Sequence, residues 1–203
     1  ASMRLSSLFS KFLLLCFSLG VISILVATFA FVAAYPQLPP VTALTNYQPK
    51  LPLRIYSREG VLIGEFGQEH REFIGISSVP ELLKNAIIAA EDEHFLEHHG
   101  IDFFGIGRAA IANLSARGAR QGASTITMQV ARNFFLSSEK TFTRKFNEAL
   151  LAIKIERNLT KNQILELYIN QIYLGQRAFG FAAASKIYFG KPLSQASLAE
   201  ISM

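Results

Sequence analysis

Residues 80–100 read PELLKNAIIAAEDEHFLEHHG. A leading proline fixes φ and needs no amide donor, which suits the first turn of a helix. Leu82, Leu83, Ala86, Ile87 and Ala90 then recur at helical spacing, with Ser78 as the expected N-cap and Gly100 as the stop. One stripe, Leu83, Ile87 and Glu91, advances by four residues and ends on a carboxylate. An acid closing a core-facing stripe is partly desolvated, a setting for general acid–base work. A frayed helix end with solvated acids has the same spacing, so the stripe alone leaves both readings open. Asp92 follows on the Ile88 side.

Downstream of this stretch the pattern stays helical. A second helix is expected after Asp102, through Ile111 and Leu114 to Gly118, and a third opens at Ser124-Thr125. A fourth covers Thr141 to about Arg157. The sequence Thr160-Lys161-Asn162-Gln163 is a capping box that starts a fifth, stopped near Gly175. Residues 178–188 and 197–203 complete the set. Upstream, residues 53–56, 61–66 and 71–74 are short β-prone runs, the first two divided by a turn at Arg58-Glu59-Gly60, and predict a small hairpin or meander. Five of the seven prolines lie between Pro36 and Pro52, which predicts an extended tether.

Residues 12–34 carry no charge and, as a helix, would span about 34 Å, enough to cross a bilayer. Arg4 and Lys11 precede them and favour a cytoplasmic N-terminus. The expected organisation is a cytoplasmic tail (1–11), an uncleaved signal-anchor helix (12–34), a tether (35–52) and a mainly α domain with a small β element (53–203). Without Arg4 and Lys11 the remainder holds 18 basic and 15 acidic residues. That balance suits an anionic substrate or lipid headgroups; it is too mild for nucleic acid, for which no motif is present. The only cysteine, Cys16, lies in the apolar run, so the exported part must be held by core packing.

Three further constellations carry chemistry. Arg144 and Lys145 share a helix face with Glu148, at i, i+4 and i, i+3, while Phe142, Phe146, Ala149, Leu150 and Ile153 take the other. Such a triad is a surface ion-pair network or a phosphate site with a fixed carboxylate. A glycine at 122 feeds the Ser124-Thr125 helix start, where free amides can cradle an anion, and Thr125, Gln129 and Arg132 form one polar stripe. The Gly-Lys-Ser/Thr signature of a P-loop is missing. Finally, His94 to His98 fits the H-x-x-E-H zinc-peptidase pattern, with Glu97 as base and Glu166 as the one candidate third ligand; Gly100 ends the helix almost at once, which argues against it.

Taken together, these segments resemble the peptidoglycan glycosyltransferase domain of class A penicillin-binding proteins and their monofunctional relatives. The first family motif, E-D-x-x-F-x-x-H-x-G, matches Glu91, Asp92, Phe95, His98 and Gly100; the second matches Gln121 to Gln129 with Arg132-Asn133; the third, R-K-x-x-E, matches Arg144 to Glu148. The fourth matches Ile164 to Asn170, Tyr173 to Gly175 and Tyr188 to Lys191. A fifth begins at Leu198-Ala199-Glu200 and is cut at Met203. Residues 52–67 look most like the branch of the family in which a transpeptidase domain follows, so the chain is expected to be the N-terminal piece of a longer protein.

The resemblance implies a lysozyme-like, mostly α fold with a membrane-embedded lobe, for which Phe134-Phe135-Leu136 is the suggested apolar patch. It implies lipid II and the growing glycan chain as substrates, membrane lipids and cell-wall synthesis proteins as partners, and a bacterial inner membrane with the catalytic domain on its outer side. Glu91 is implied as the base on the acceptor hydroxyl, and Glu148 with Arg144 and Lys145 at the donor pyrophosphate. Asp92, Phe95, His98, Ser124, Thr125, Gln129, Arg132 and Lys140 are implied to bind substrate. A divalent cation, magnesium or manganese, held by Glu148 is the one cofactor considered; no organic cofactor is implied. Against these readings stands a non-catalytic membrane-tethered scaffold, which needs no base.

Overall fold

The computed structural model describes residues 2–45, 53–67, 69–115, 122–136 and 142–201. The chain divides into two units, Ala1–Pro39 and Pro40–Met203. The first is one continuous helix, α1 (Ser2–Ala34), closed by a 3-10 turn at Tyr35–Gln37. Pro36 sits at the start of that turn, where its missing amide costs nothing. The apolar run is thus long and apolar enough to cross a membrane. The expected extended tether is instead partly helical, with a single turn α2 (Thr42–Thr45) after the irregular residues 38–41; residues 46–52 lie outside the described residues.

The second unit is mainly α, as the periodicity predicted: α3 (Glu81–Glu91), α4 (Phe103–Ser115), α5 (Ile126–Phe135), α6 (Phe142–Glu156), α7 (Lys161–Gln171), α8 (Phe181–Phe189) and α9 (Leu198–Ile201). α7 lies at its centre, with Ile164, Leu165, Leu167, Tyr168 and Ile169 all buried. Ile126 and Val130 of α5 and Leu151, Ala152 and Ile155 of α6 complete the core and are fully buried. Their burial supplies the main stabilisation, about 1.5–3 kcal/mol for each large side chain. Thr160 caps α7 in the expected box with Gln163. Pro80, with no side-chain cap, is the residue before α3, and Ser78 closes a separate 3-10 turn.

The β element differs from the meander reading. β1 (Leu53–Tyr56) and β2 (Leu62–Phe66) form the antiparallel hairpin, but residues 71–74 do not extend it. Instead β3 (His70–Arg71) pairs in parallel with β4 (Ala178–Phe179), over a hundred residues later. The amide of Asn170 takes both backbone groups of Ile74, at 2.8 Å each, and Glu166 accepts from the Ile76 amide at 2.6 Å. Two side chains of α7 thus replace the strand partner that a meander would have supplied.

Residues 92–100 leave α3 and run without regular structure to α4. Gly100 (φ +99°) lets this loop lie against α6, since a Cβ there would meet the Ala152 carbonyl carbon at 2.8 Å. Asp102 then caps α4, its Oδ1 accepting from the Gly105 amide at 2.8 Å. That amide, with His94 at 3.2 Å, holds the Asp102 carboxyl below the usual carboxylate range. A depressed folded-state pKa means that the cap stabilises at neutral pH and is lost as pH falls through the depressed value. Protection of the amides at the start of α4, taken against their intrinsic exchange rate at each pH, should therefore fall as pH drops below about 4. Asp102→Ala should show this loss of protection already at pH 7, at a cost of about 1 kcal/mol; equal exchange in the two proteins would remove the cap.

Candidate active site

α3 delivers Glu91 at its last residue, where the buried stripe of Leu83 and Ile87 breaks into the open. The carboxylate is exposed, not desolvated by the core as the stripe suggested. It sits at a cleft of about 640 Å³ lined also by Asp92, Glu93, Asp102, Arg108, Ser124, Thr125, Gln129 and Arg132. The Gln129 amide donates to Glu91 Oε2 at 2.7 Å. Among the described residues Oε1 has no protein donor, so one carboxylate oxygen is fixed and the other is left for a ligand.

The α5 amino end could have been an anion cradle or an ordinary capped helix; it is capped, and the chain supplies the anion itself. Asp92 is buried, and its Oδ2 accepts from the Ile126 amide at 3.0 Å. Thr125 Oγ1 takes the Met128 amide at 3.1 Å and donates to the Gly100 carbonyl at 2.7 Å. His98 Nε2 lies 3.0 Å from both Asp92 oxygens, while its Nδ1 accepts from the Gly100 amide at 3.1 Å, which fixes the tautomer as Nε2–H. Phe95 is fully buried beneath. Phe95 and His98 therefore do not line the cleft; they hold its wall from behind.

The same geometry disposes of the zinc reading. His94 and His98 lie in a turn, not on a helix, and each faces its own aspartate, Asp102 and Asp92. Glu166 is engaged at Ile76. No group of three metal-ligating side chains occurs among the described residues.

Glu148 is the second departure. It was read onto the polar face of α6, yet its side chain is 1% exposed, in line with Leu151, Ala152 and Ile155. Phe146, assigned to the apolar face, is 40% exposed. Arg144 Nε lies 3.1 Å from one Glu148 oxygen and Lys145 Nζ 3.0 Å from the other. Lys145 also donates to Ser124 Oγ at 2.7 Å, which joins this cluster to the cleft-lining loop. Two cations already neutralise Glu148, and among the described residues no second acid or histidine joins them in a ligand set, so the described residues do not by themselves fit a resident divalent ion. Lys140 lies outside the described residues.

One cleft residue was not singled out from sequence, and one buried residue of the fourth motif interacts electrostatically with the cleft without lining it. Arg108, on α4, also lines the cleft and pairs with Glu93 at 3.2 Å; no short motif marks it. Tyr168 lies buried on α7. Burial raises its hydroxyl pKa, and the Glu91 carboxylate raises it further against the opposing pull of Arg132. The phenol stays protonated and within electrostatic reach of both cleft residues. The apolar patch also moves: Phe134, Phe135 and Leu136 are half-buried, whereas Phe103, Phe104, Ile111 and Leu114 of α4 are each at least 69% exposed.

Known proteins align with this architecture. The transglycosylase family model matches residues 59–203. A penicillin-binding protein 1A of Neisseria cinerea is 56% identical over 187 residues, 92% of this chain and 23% of that protein. One from Pseudomonas aeruginosa is 49% identical over 174 residues, 86% of this chain and 21% of the relative. The chain thus spans about a quarter of the length of the curated relatives it matches. A solved penicillin-binding protein 1A of Haemophilus influenzae covers 76% of this chain and 13% of its own, at 24% identity and a TM-score of 0.34, too low to bear on the fold.

Proposed function

The chain belongs to the transglycosylase family, and from that premise we propose that it is a peptidoglycan glycosyltransferase that joins lipid II into β-1,4-linked glycan strands. The observation that carries this reading is Glu91, a carboxylate at the cleft with one oxygen oriented by Gln129 and Arg132 on the same cleft. That is the minimum equipment for moving a glycosyl group from a pyrophosphate to a hydroxyl.

The acceptor 4-hydroxyl attacks the donor anomeric carbon while Glu91 takes its proton. The new O4–C1 bond forms as the bond from C1 to the pyrophosphate oxygen breaks. An α-linked donor becomes a β-linked product in one in-line displacement, so no sugar–enzyme intermediate is needed. Negative charge gathers on the departing polyprenyl pyrophosphate and meets Arg132, with Lys145 and Arg144 behind Ser124. Glu148 serves this side by holding the two cations in register. No step is routed through a metal.

α1 would anchor the chain in the bilayer with its N-terminus cytoplasmic, on the strength of Arg4 and Lys11. The exposed apolar face of α4 suits contact with membrane lipids beside the cleft, bringing it to a substrate that is itself lipid-borne. The test is polymerisation of lipid II by the chain embedded in liposomes. Glycan polymer and released polyprenyl pyrophosphate are expected, with Arg132→Ala lowering kcat/KM about 100-fold. No polymer from the unaltered chain would sink the proposal. Full activity in Arg132→Ala would take that residue off the leaving group.

A further inference from the structure

Behind the cleft, polar links close into a ring through three helix ends. Lys161 Nζ, at the start of α7, donates to the His98 carbonyl at 2.7 Å and to Glu156 Oε1 at 2.7 Å, and lies 4.5 Å from the centre of the Phe95 ring. Glu156, at the end of α6, uses the same oxygen to accept from Thr127 Oγ1 at 2.6 Å. Thr127 lies in the first turn of α5, next to Ile126, whose amide holds Asp92. Asp92 returns to the His98 ring and so completes the circuit. The Glu156 side chain is 4% exposed and the Lys161 side chain 21%.

We propose that the Lys161–Glu156 pair, which does not line the cleft, positions Glu91 for turnover by locking loop 92–100 to the starts of α5 and α7. The inference rests on the reading of Glu91 as the base. Glu91 is the last helical residue before that loop, and its orienting partner Gln129 is on α5. The distance between the ends of α3 and α5 therefore sets whether the 2.7 Å contact exists. Loop 92–100 has no ladder or helix of its own to fix that distance. The ammonium meets it from the far side, at the His98 carbonyl and the Phe95 face, while Asp92 pins it at α5. A pair serving stability alone would be felt equally by every part of the fold. This pair acts on the one segment that joins the base to the α5 cap, and small displacements of reacting groups carry large kinetic costs.

The experiment compares Lys161→Met, Lys161→Arg, the double variant Glu156→Gln/Lys161→Met and Glu91→Gln in the membrane-embedded chain. Lipid II polymerisation, thermal unfolding and amide exchange of residues 92–100 are measured for each. Lys161→Met is expected to lower kcat at least about tenfold with KM within about twofold, and to speed exchange in the loop. The double variant, which removes the unpaired buried charge, should regain thermal stability without regaining kcat. Lys161→Arg, which keeps a cation at the site, should restore most of the rate. A double variant with normal kcat, or a loss of rate explained by the fraction unfolded, overturns the proposal. Glu91→Gln separates the two failures. If that variant retains turnover, the base assignment is wrong, and loop exchange alone then decides the brace: unchanged exchange in Lys161→Met rejects it.

Discussion

Glu91→Gln is expected to lower lipid II polymerisation by between about 100-fold and 10⁴-fold, the range carried by a positioned proton acceptor. The change is nearly isosteric. A glutamine carbonyl can still accept from the Gln129 amide, so the 2.7 Å contact has a replacement and the cleft should keep its shape. Because the side chain is exposed, thermal unfolding should stay within about 2 °C of the parent. What is lost is the capacity to take a proton from the acceptor hydroxyl. Assay under single-turnover conditions, with donor and acceptor both bound, separates this from a binding defect: the rate of the chemical step should fall while affinity for lipid II is kept. Turnover within about twofold of the parent would remove Glu91 from the base role, and with it the proposed mechanism.

That prediction also shows where the sequence was informative and where it was not. Local signals were legible at Thr160 with Gln163 and at the Ser124-Thr125 helix start; Gly100, expected as the stop of α3, is instead a positive-φ turn well beyond its end at Glu91. Each depends on bonds spanning a few residues, or on a φ value that glycine alone adopts cheaply. The stripe through Leu83 and Ile87 correctly reached Glu91, but helical spacing could not say that the packing stops one turn short of it. Long-range pairing was not legible either. β3 finds its partner β4 across the whole helical domain, and Asn170 replaces the strand partner of Ile74 through a side chain whose target no local pattern names. Asp92, implied by resemblance to bind substrate, is a buried clamp between His98 and the α5 cap. The family resemblance identified the right segments. It did not tell which of their residues face a ligand and which hold the wall.

For Glu148, exchange for alanine should be the costliest single change among the cleft-associated residues, about 3 kcal/mol or more, seen as a fall of about 10 °C in Tm. α6 carries apolar residues on two faces, and of the stripe read as its apolar one Leu150 is buried, while Ile153 is half-buried and Phe146 is 40% exposed. The buried face is the one with Leu151, Ala152 and Ile155, and it carries the acid inward with them. Once buried, the carboxylate must be matched, which Arg144 and Lys145 do from one turn back. Alanine would remove the buried carboxylate that Arg144 faces and would open a cavity beside Leu151. Lys145, with a more exposed side chain, can turn to solvent, and its contact with Ser124 would go with it. Catalysis should fall as well, by way of the displaced cations. Glu148→Gln distinguishes support from direct participation, because the amide keeps an acceptor for one cation and most of the volume. It should recover at least half of the lost stability and bind a pyrophosphate analogue measurably, in proportion to how well Arg144 and Lys145 are held. A Glu148→Gln protein with parental Tm and analogue affinity but no turnover would mean that the carboxylate itself reaches the substrate during reaction, through an opening that this buried geometry does not provide.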